Sequence, residues 1–156
     1  MDVVKNSEVK LLSPSEYGCS IVDRSGKWTI IYEDSDPKGR IRFTLAHELG
    51  HILLGHELAA GFGHYRKITA GRPVFEQQAD EFAARLLAPA CVLWALDITA
   101  ADEIAALCDI SRAAAEYRAE RMKVLKGRGK FLAHPLEQQV YAAFQPWIEK
   151  QKSRPV

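Results

Sequence analysis

The chain has 156 residues and a formal net charge of +1, from 21 basic and 20 acidic side chains. That length fits one ordinary domain and suffices to bury a core without disulfide staples. With 47% apolar and 26% charged residues, the composition excludes disordered, collagenous and membrane-spanning classes, and the near-neutral charge carries no global signature of nucleic-acid or membrane binding.

No apolar run approaches the roughly 18 residues of a membrane span. The N-terminus, MDVVKNSEVKLL, lacks the apolar stretch of a signal peptide, so a cytoplasmic protein is expected. Cys19, Cys91 and Cys108 are odd in number and form no CxxC pair, so they read as reduced core thiols.

The first ~35 residues read mainly as strands. Cys19–Val22 and Trp28–Tyr32 are β-rich runs on either side of Asp23-Arg24-Ser25-Gly26-Lys27, a hairpin pattern. Asp36-Pro37 then reads as an N-cap followed by proline at the first helical position. Ile41, Leu45, Leu49, Ile52 and Leu53 recur at helical spacing, which predicts a helix over about 37–56. Gly50 and Gly55 weaken it by about 1 kcal/mol each relative to alanine. Residues 57–73 carry three glycines and a proline and read as a loop. A second helix is predicted over about 74–88, with Phe75, Ala79, Phe82 and Leu86 in one apolar stripe and Pro89 beyond its end. The remainder reads as shorter helices. Thr99 and Ser111 are candidate N-caps, and the last helix is expected around 136–144.

The chemistry concentrates in His47-Glu48-Leu49-Gly50-His51. On a helix, positions i and i+4 share one face, about 6 Å apart along the axis, so two imidazoles can ligate one Zn2+ ion. Glu48 sits about 100° around from His47, placed to act on a water without taking a coordination position. This is the logic of HExxH hydrolases. The flanking residues Phe43-Thr44-Leu45-Ala46 and Ile52-Leu53-Leu54 make the helix apolar on most sides, so it is expected to be buried. Buried polar groups need partners, and a metal provides them.

A catalytic zinc ion usually takes three protein ligands and leaves one position open for water. Leu54 and Glu57 stand where an extended HExxHxxGxxH motif requires glycine and histidine, so that variant is absent. His56 lies about 140° around the helix from His51, a poor position for the same ion. His64 falls in the loop. Glu76 is the best candidate, because Glu76, Asp80, Ala83 and Leu87 share one stripe of the second helix and that stripe is expected to face inward. Glu76 as ligand and Asp80 as acceptor from a histidine N–H satisfies both carboxylates. Asp80 as ligand with Glu76 outside remains the alternative. Glu81, about 100° away, reads as surface.

The block Arg42-Phe43-Thr44-Leu45-Ala46-His47-Glu48-Leu49-Gly50-His51-Ile52-Leu53-Leu54-Gly55-His56, followed by Glu76-Gln77-Gln78-Ala79-Asp80-Glu81-Phe82-Ala83-Ala84-Arg85-Leu86-Leu87-Ala88-Pro89, resembles the ImmA/IrrE metallopeptidase family. The resemblance is clear over about 28–89 and looser over 90–121. It implies an α+β, zincin-like fold: a small antiparallel or mixed sheet over an HExxH helix, with a helical C-terminal half, in a single compact domain spanning 1–156. It also implies His47, His51 and Glu76 as ligands of one Zn2+ ion and Glu48 as catalytic base. The implied substrate is a helix-turn-helix repressor encoded nearby, in a mobile-element, stress or toxin–antitoxin system. The chain looks like a near-minimal peptidase with no room for a sensor domain.

Residues 99–121 read as two short helices with a turn at Cys108-Asp109-Ile110, a helix-turn-helix look-alike. Its second helix carries Arg112, Arg118 and Arg121 but also Glu116 and Glu120, which oppose phosphate. Arg121, Lys123, Lys126, Arg128 and Lys130 follow as a basic run. Substrate docking, DNA contact through 112–130 and a solvated surface are the competing readings. The expected mechanism has Trp28–Tyr32 pairing with an extended substrate, and Tyr32, His64, Tyr65 or Arg66 as oxyanion donor. The rival functions are a regulator-binding module with a structural metal, and a DNA-binding regulator using residues 99–130.

Overall fold

A computed structural model describes residues 1–56 and 73–153, and their contacts group the chain into two compact units, Met1–Ala83 and Ala84–Val156. The predicted loop, including His64, Tyr65 and Arg66, lies outside the described residues.

In the first unit the expected hairpin forms. Strands β2 (Gly18–Val22) and β3 (Trp28–Tyr32) are antiparallel, with Ser20 opposite Ile30. Asp23 closes the turn by accepting from the backbone N–H groups of Ser25 and Lys27, at 2.8 and 3.0 Å. A further strand, β1 (Asp2–Lys5), pairs parallel with β3, giving a mixed sheet of order β1-β3-β2. The segment after β1 is not a strand. It turns into the one-turn helix α1 (Asn6–Val9), pinned to the end of β3 by Asn6 donating to Glu33 and Ser7 donating to Asp34, both at 2.8 Å.

Helix α2 (Lys38–Leu53) packs against β2 and β3, where Ile30 and Ile31 are both buried. It starts one residue later than predicted. Pro37 occupies the N-cap position without a side-chain cap, and Asp36 precedes it outside capping geometry. It also ends earlier, because Gly55 adopts a left-handed conformation with φ of 70°, accessible to glycine at little steric cost. Helix α3 (Pro73–Leu87) follows. Gly50 lets α3 approach: a Cβ there would stand 3.3 Å from the Ala79 Cα and 3.1 Å from the Phe82 ring. The glycine that weakens α2 as an isolated helix therefore brings the two site helices together.

The second unit is helical among its described residues: α4 (Ala90–Ala95), α5 (Ala101–Cys108), α6 (Arg112–Arg128) and α7 (Pro135–Lys152). Leu93, Ile104, Ala115 and Met122 form an almost fully buried apolar core. Helix α7 runs well past the expected 144. Pro146 removes one backbone hydrogen bond, but Ile148 is buried against Cys91 and Val92 and holds the extra turns in place. Ser111 caps α6, accepting from the Ala114 N–H at 3.2 Å, whereas Thr99 caps nothing and Ala100 takes that role for α5.

The turn between α5 and α6 forms as expected, with Asp109 at φ of 51°. Two arginines of α6 are engaged, however. Arg112 pairs with Asp102 and Glu116. Arg118 is buried and donates from Nε to the Ala88 carbonyl at 2.7 Å. Its guanidinium is pushed down to about 10 by burial and by the charges of Arg85 and Arg121. In the basic run, Lys123 pairs with Glu120 and Lys126 with Asp97. No cysteine is in a disulfide; Cys19 and Cys91 are buried and Cys108 is half-buried. Among the described residues no helix is long and apolar enough to cross a membrane.

Candidate metal centre

The i, i+4 spacing on α2 turns His47 and His51 to one side, with their Nε2 atoms 2.9 Å apart. Glu76, in the first turn of α3, faces both: Oε2 is 3.3 Å from His47 Nε2 and Oε1 is 3.6 Å from His51 Nε2. Donors about 2.0–2.1 Å from a tetrahedral ion stand about 3.3 Å from one another, so the three side chains already hold the spacing of such a ligand set. These residues form a group able to hold a metal ion. The ring nitrogens on the far sides support the same conclusion. His47 Nδ1 is 2.8 Å from Asp80 Oδ1, which commits its proton to the carboxylate and its Nε2 lone pair to the site. At 2.9 Å that lone pair is met either by a proton on His51 Nε2 or by a cation held between the two rings.

The stripe Glu76–Asp80–Ala83 is less inward than the sequence pattern implies. Ala83 is fully buried, but the Asp80 side chain is 58% exposed. The two carboxylates stand at the rim, and only their oxygen atoms reach the histidines.

Electrostatics separates the two imidazoles. Burial pulls His47 down, but the Asp80 hydrogen bond and the charges of Glu48, Asp80 and Glu76 outweigh it and hold His47 above its ordinary value. His51 is pushed down to about 4 by burial and by its neighbours His47 and His56, so it is neutral at pH 7. Glu48 is 8% exposed. Burial raises its carboxyl above the ordinary range, while hydrogen bonds from the Ser20 hydroxyl and backbone N–H act in the opposite direction.

The chain matches the family model of the IrrE N-terminal-like domain, Peptidase_M78, over residues 9–120. It belongs to this metallopeptidase family. The matched stretch contains the β2–β3 hairpin, both site helices and much of α6, and ends before α7. The α+β zincin-like fold of the family is the fold seen here, with its small mixed sheet against the HExxH helix. A search of curated proteins gave no match.

One expectation about substrate binding is corrected. Strand β3 (Trp28–Tyr32) is central, with β1 and β2 paired along its two edges, so its backbone has no open side for a substrate. Strand β2 is an edge strand among the described residues, and its Ser20 N–H is turned out to Glu48 rather than to β3. Tyr32 closes β3 opposite Gly18 and Lys5.

Two features escaped the sequence reading. Ser20 has only the signal of a small polar residue in an apolar strand. His56 looks misplaced if the helix is continued through it. The helix stops at Leu53 instead, and the turn at Gly55 brings His56 back, its Nδ1 2.9 Å from His51 Nδ1.

Proposed function

We propose that this protein is a zinc-dependent endopeptidase of the cytoplasm whose substrate is a helix-turn-helix repressor. The observation that carries the reading is the convergence of His47, His51 and Glu76 within 4.8 Å of one another, on the same helix as a buried glutamate next in sequence to one of them. His47 Nε2, His51 Nε2 and a Glu76 carboxylate oxygen would hold the ion. Zn2+ supplies Lewis acidity toward water and toward the scissile carbonyl. Glu48 accepts a proton from the attacking water as its oxygen bonds to the carbonyl carbon. The same carboxyl then returns the proton to the leaving amine as the C–N bond breaks. Its burial favours the first half, since a base with a raised pKa accepts a proton more readily. Ser20 orients the carboxylate and opposes the rise that burial causes. Among the described residues β2 has an unpaired edge, and an extended substrate backbone adds there on either side of the Ser20 N–H that holds Glu48, by strand addition. The repressor substrate rests on the family resemblance, as does the cytoplasmic setting.

Cleavage of a helix-turn-helix repressor encoded beside this gene, by purified wild-type protein and by Glu48→Gln, tests the reading. The variant is expected to keep stoichiometric zinc and lose at least about 100-fold in rate. Wild-type cleavage by Glu48→Gln removes the glutamate from its role. For the ligand set, Glu76→Ala should release zinc, and Asp80→Ala should only weaken binding by about 10–100-fold. Zinc retained in Glu76→Ala and released in Asp80→Ala reverses the assignment.

A further inference from the structure

The two site histidines are supported differently. Behind His47 stands a carboxylate, Asp80. Behind His51 stands a chain that ends in an amide: His51 Nδ1 is 2.9 Å from His56 Nδ1, and His56 Nε2 is 3.0 Å from Gln78 Oε1. His56 is 3% exposed and stacks on Phe75, with ring centroids 4.5 Å apart and planes within 5°. Its ring plane is therefore fixed, and both nitrogens are committed to partners.

For a relay of neutral imidazoles, proton counting leaves one arrangement. The Gln78 carbonyl oxygen only accepts, so His56 Nε2 carries a proton and donates it. A neutral imidazole has one N–H, so His56 Nδ1 is an acceptor. His51 Nδ1 must then carry a proton and donate, and this leaves His51 Nε2 as a bare lone pair facing His47 and Glu76. The opposite tautomer of His51 would place the acceptor Nε2 of His56 against the acceptor oxygen of Gln78.

We propose that His56 and Gln78 are positioning residues that fix His51 in its Nε2-ligating tautomer through a hydrogen-bonded relay ending in a neutral amide. Neither residue touches the ion or the substrate. The relay spans the site: His56 follows α2 and Gln78 sits on α3, so it also ties the helix bearing both histidines to the helix bearing Glu76. Gln78 lies two residues from Glu76 and two from Asp80, and one turn of α3 thus supplies a ligand, the partner behind His47 and the end of the relay behind His51. The difference in kind matters for the metal. A carboxylate partner makes an imidazole a stronger donor, whereas an amide-terminated relay orients His51 without adding charge.

This inference rests on the metal-centre reading, and the experiment separates the two. The readouts are zinc affinity by chelator competition, the ligand-field spectrum of the cobalt(II)-loaded protein, and histidine tautomers from long-range 15N–1H correlation on the zinc-loaded wild type. His51→Ala tests the site itself: full zinc affinity in that variant overturns the metal-centre reading. If His51→Ala loses zinc, the relay is judged alone. Wild-type spectra should show protons on His51 Nδ1 and on His56 Nε2. His56→Phe keeps the stacking and removes the acceptor. Gln78→Leu, at an exposed position, removes the terminal acceptor. Each should weaken zinc binding by about 10–100-fold and alter the cobalt spectrum. Gln78→Glu keeps an acceptor and should bind at least as tightly as wild type. Wild-type affinity and spectrum in Gln78→Leu overturn the relay. So does a Gln78→Glu variant as weak as Gln78→Leu, or a His51 proton found on Nε2.

Discussion

The two units of this chain bury different things. In Ala84–Val156 the interior is an apolar cluster around Leu93, Ile104 and Met122, and the principal buried charge, Arg118, caps a backbone carbonyl. In Met1–Ala83 the buried set includes Ser20, Thr44, Glu48, His51 and His56. Buried polar groups stabilise a fold poorly and are expensive to leave unpaired. Their concentration in one unit marks where side chains serve chemistry, and the other unit shows what the same chain does when packing alone decides.

That contrast predicts opposite responses to substitution. The largest stability effect belongs to the apolar core. Leu93→Ala should cost about 2–5 kcal/mol in chemical denaturation while leaving zinc affinity unchanged below the unfolding transition. A matching loss of zinc affinity would break the contrast. Gly55→Ala comes next, at about 1–2 kcal/mol, because a Cβ is strained at φ of 70°. Unchanged stability there would mean that the turn after α2 tolerates another backbone conformation.

Ser20→Ala should act on chemistry more than on stability. The Ser20 hydroxyl lowers the Glu48 pKa, which burial has raised, so its removal lets that pKa rise further. Glu48 works deprotonated, and activity is lost as pH falls through its pKa. The acid limb of kcat/KM should therefore move to higher pH, by roughly 0.7 unit for a hydrogen bond of about 1 kcal/mol, with the alkaline limb unmoved. An acid limb that stays in place separates Ser20 from the base. The smallest effect is expected at Arg112→Ala, where exposed partners hold the guanidinium. Its Tm should match wild type within error, and a large drop would show that the α5–α6 surface pairs carry structure.

Much of this organisation was legible in the residues. The hairpin shows as two β-rich runs around a turn, and the site shows in the spacing His47–His51 with Glu76 and Asp80 one turn apart on a second amphipathic segment. Local periodicity governs each of these, so the sequence is enough to see them. What failed had non-local causes. Trp28–Tyr32 reads as an available strand until Asp2–Lys5 pairs along its other side. The N-cap assigned to Asp36 shifts to Pro37, and the last helix outruns its predicted end because Ile148 finds a buried partner.

The residues alone say which side chains carry nitrogen and oxygen donors, and that helical spacing turns two of the histidines to one side. What stands behind them is set by packing between distant segments. The distance between α2 and α3 depends on a missing Cβ at Gly50 and the return of His56 on a left-handed glycine at position 55. Donor type is a property of the residue and spacing a property of the helix. The tautomer of His51 depends on hydrogen-bond partners contributed after one helix ends and from another, and no local pattern contains them.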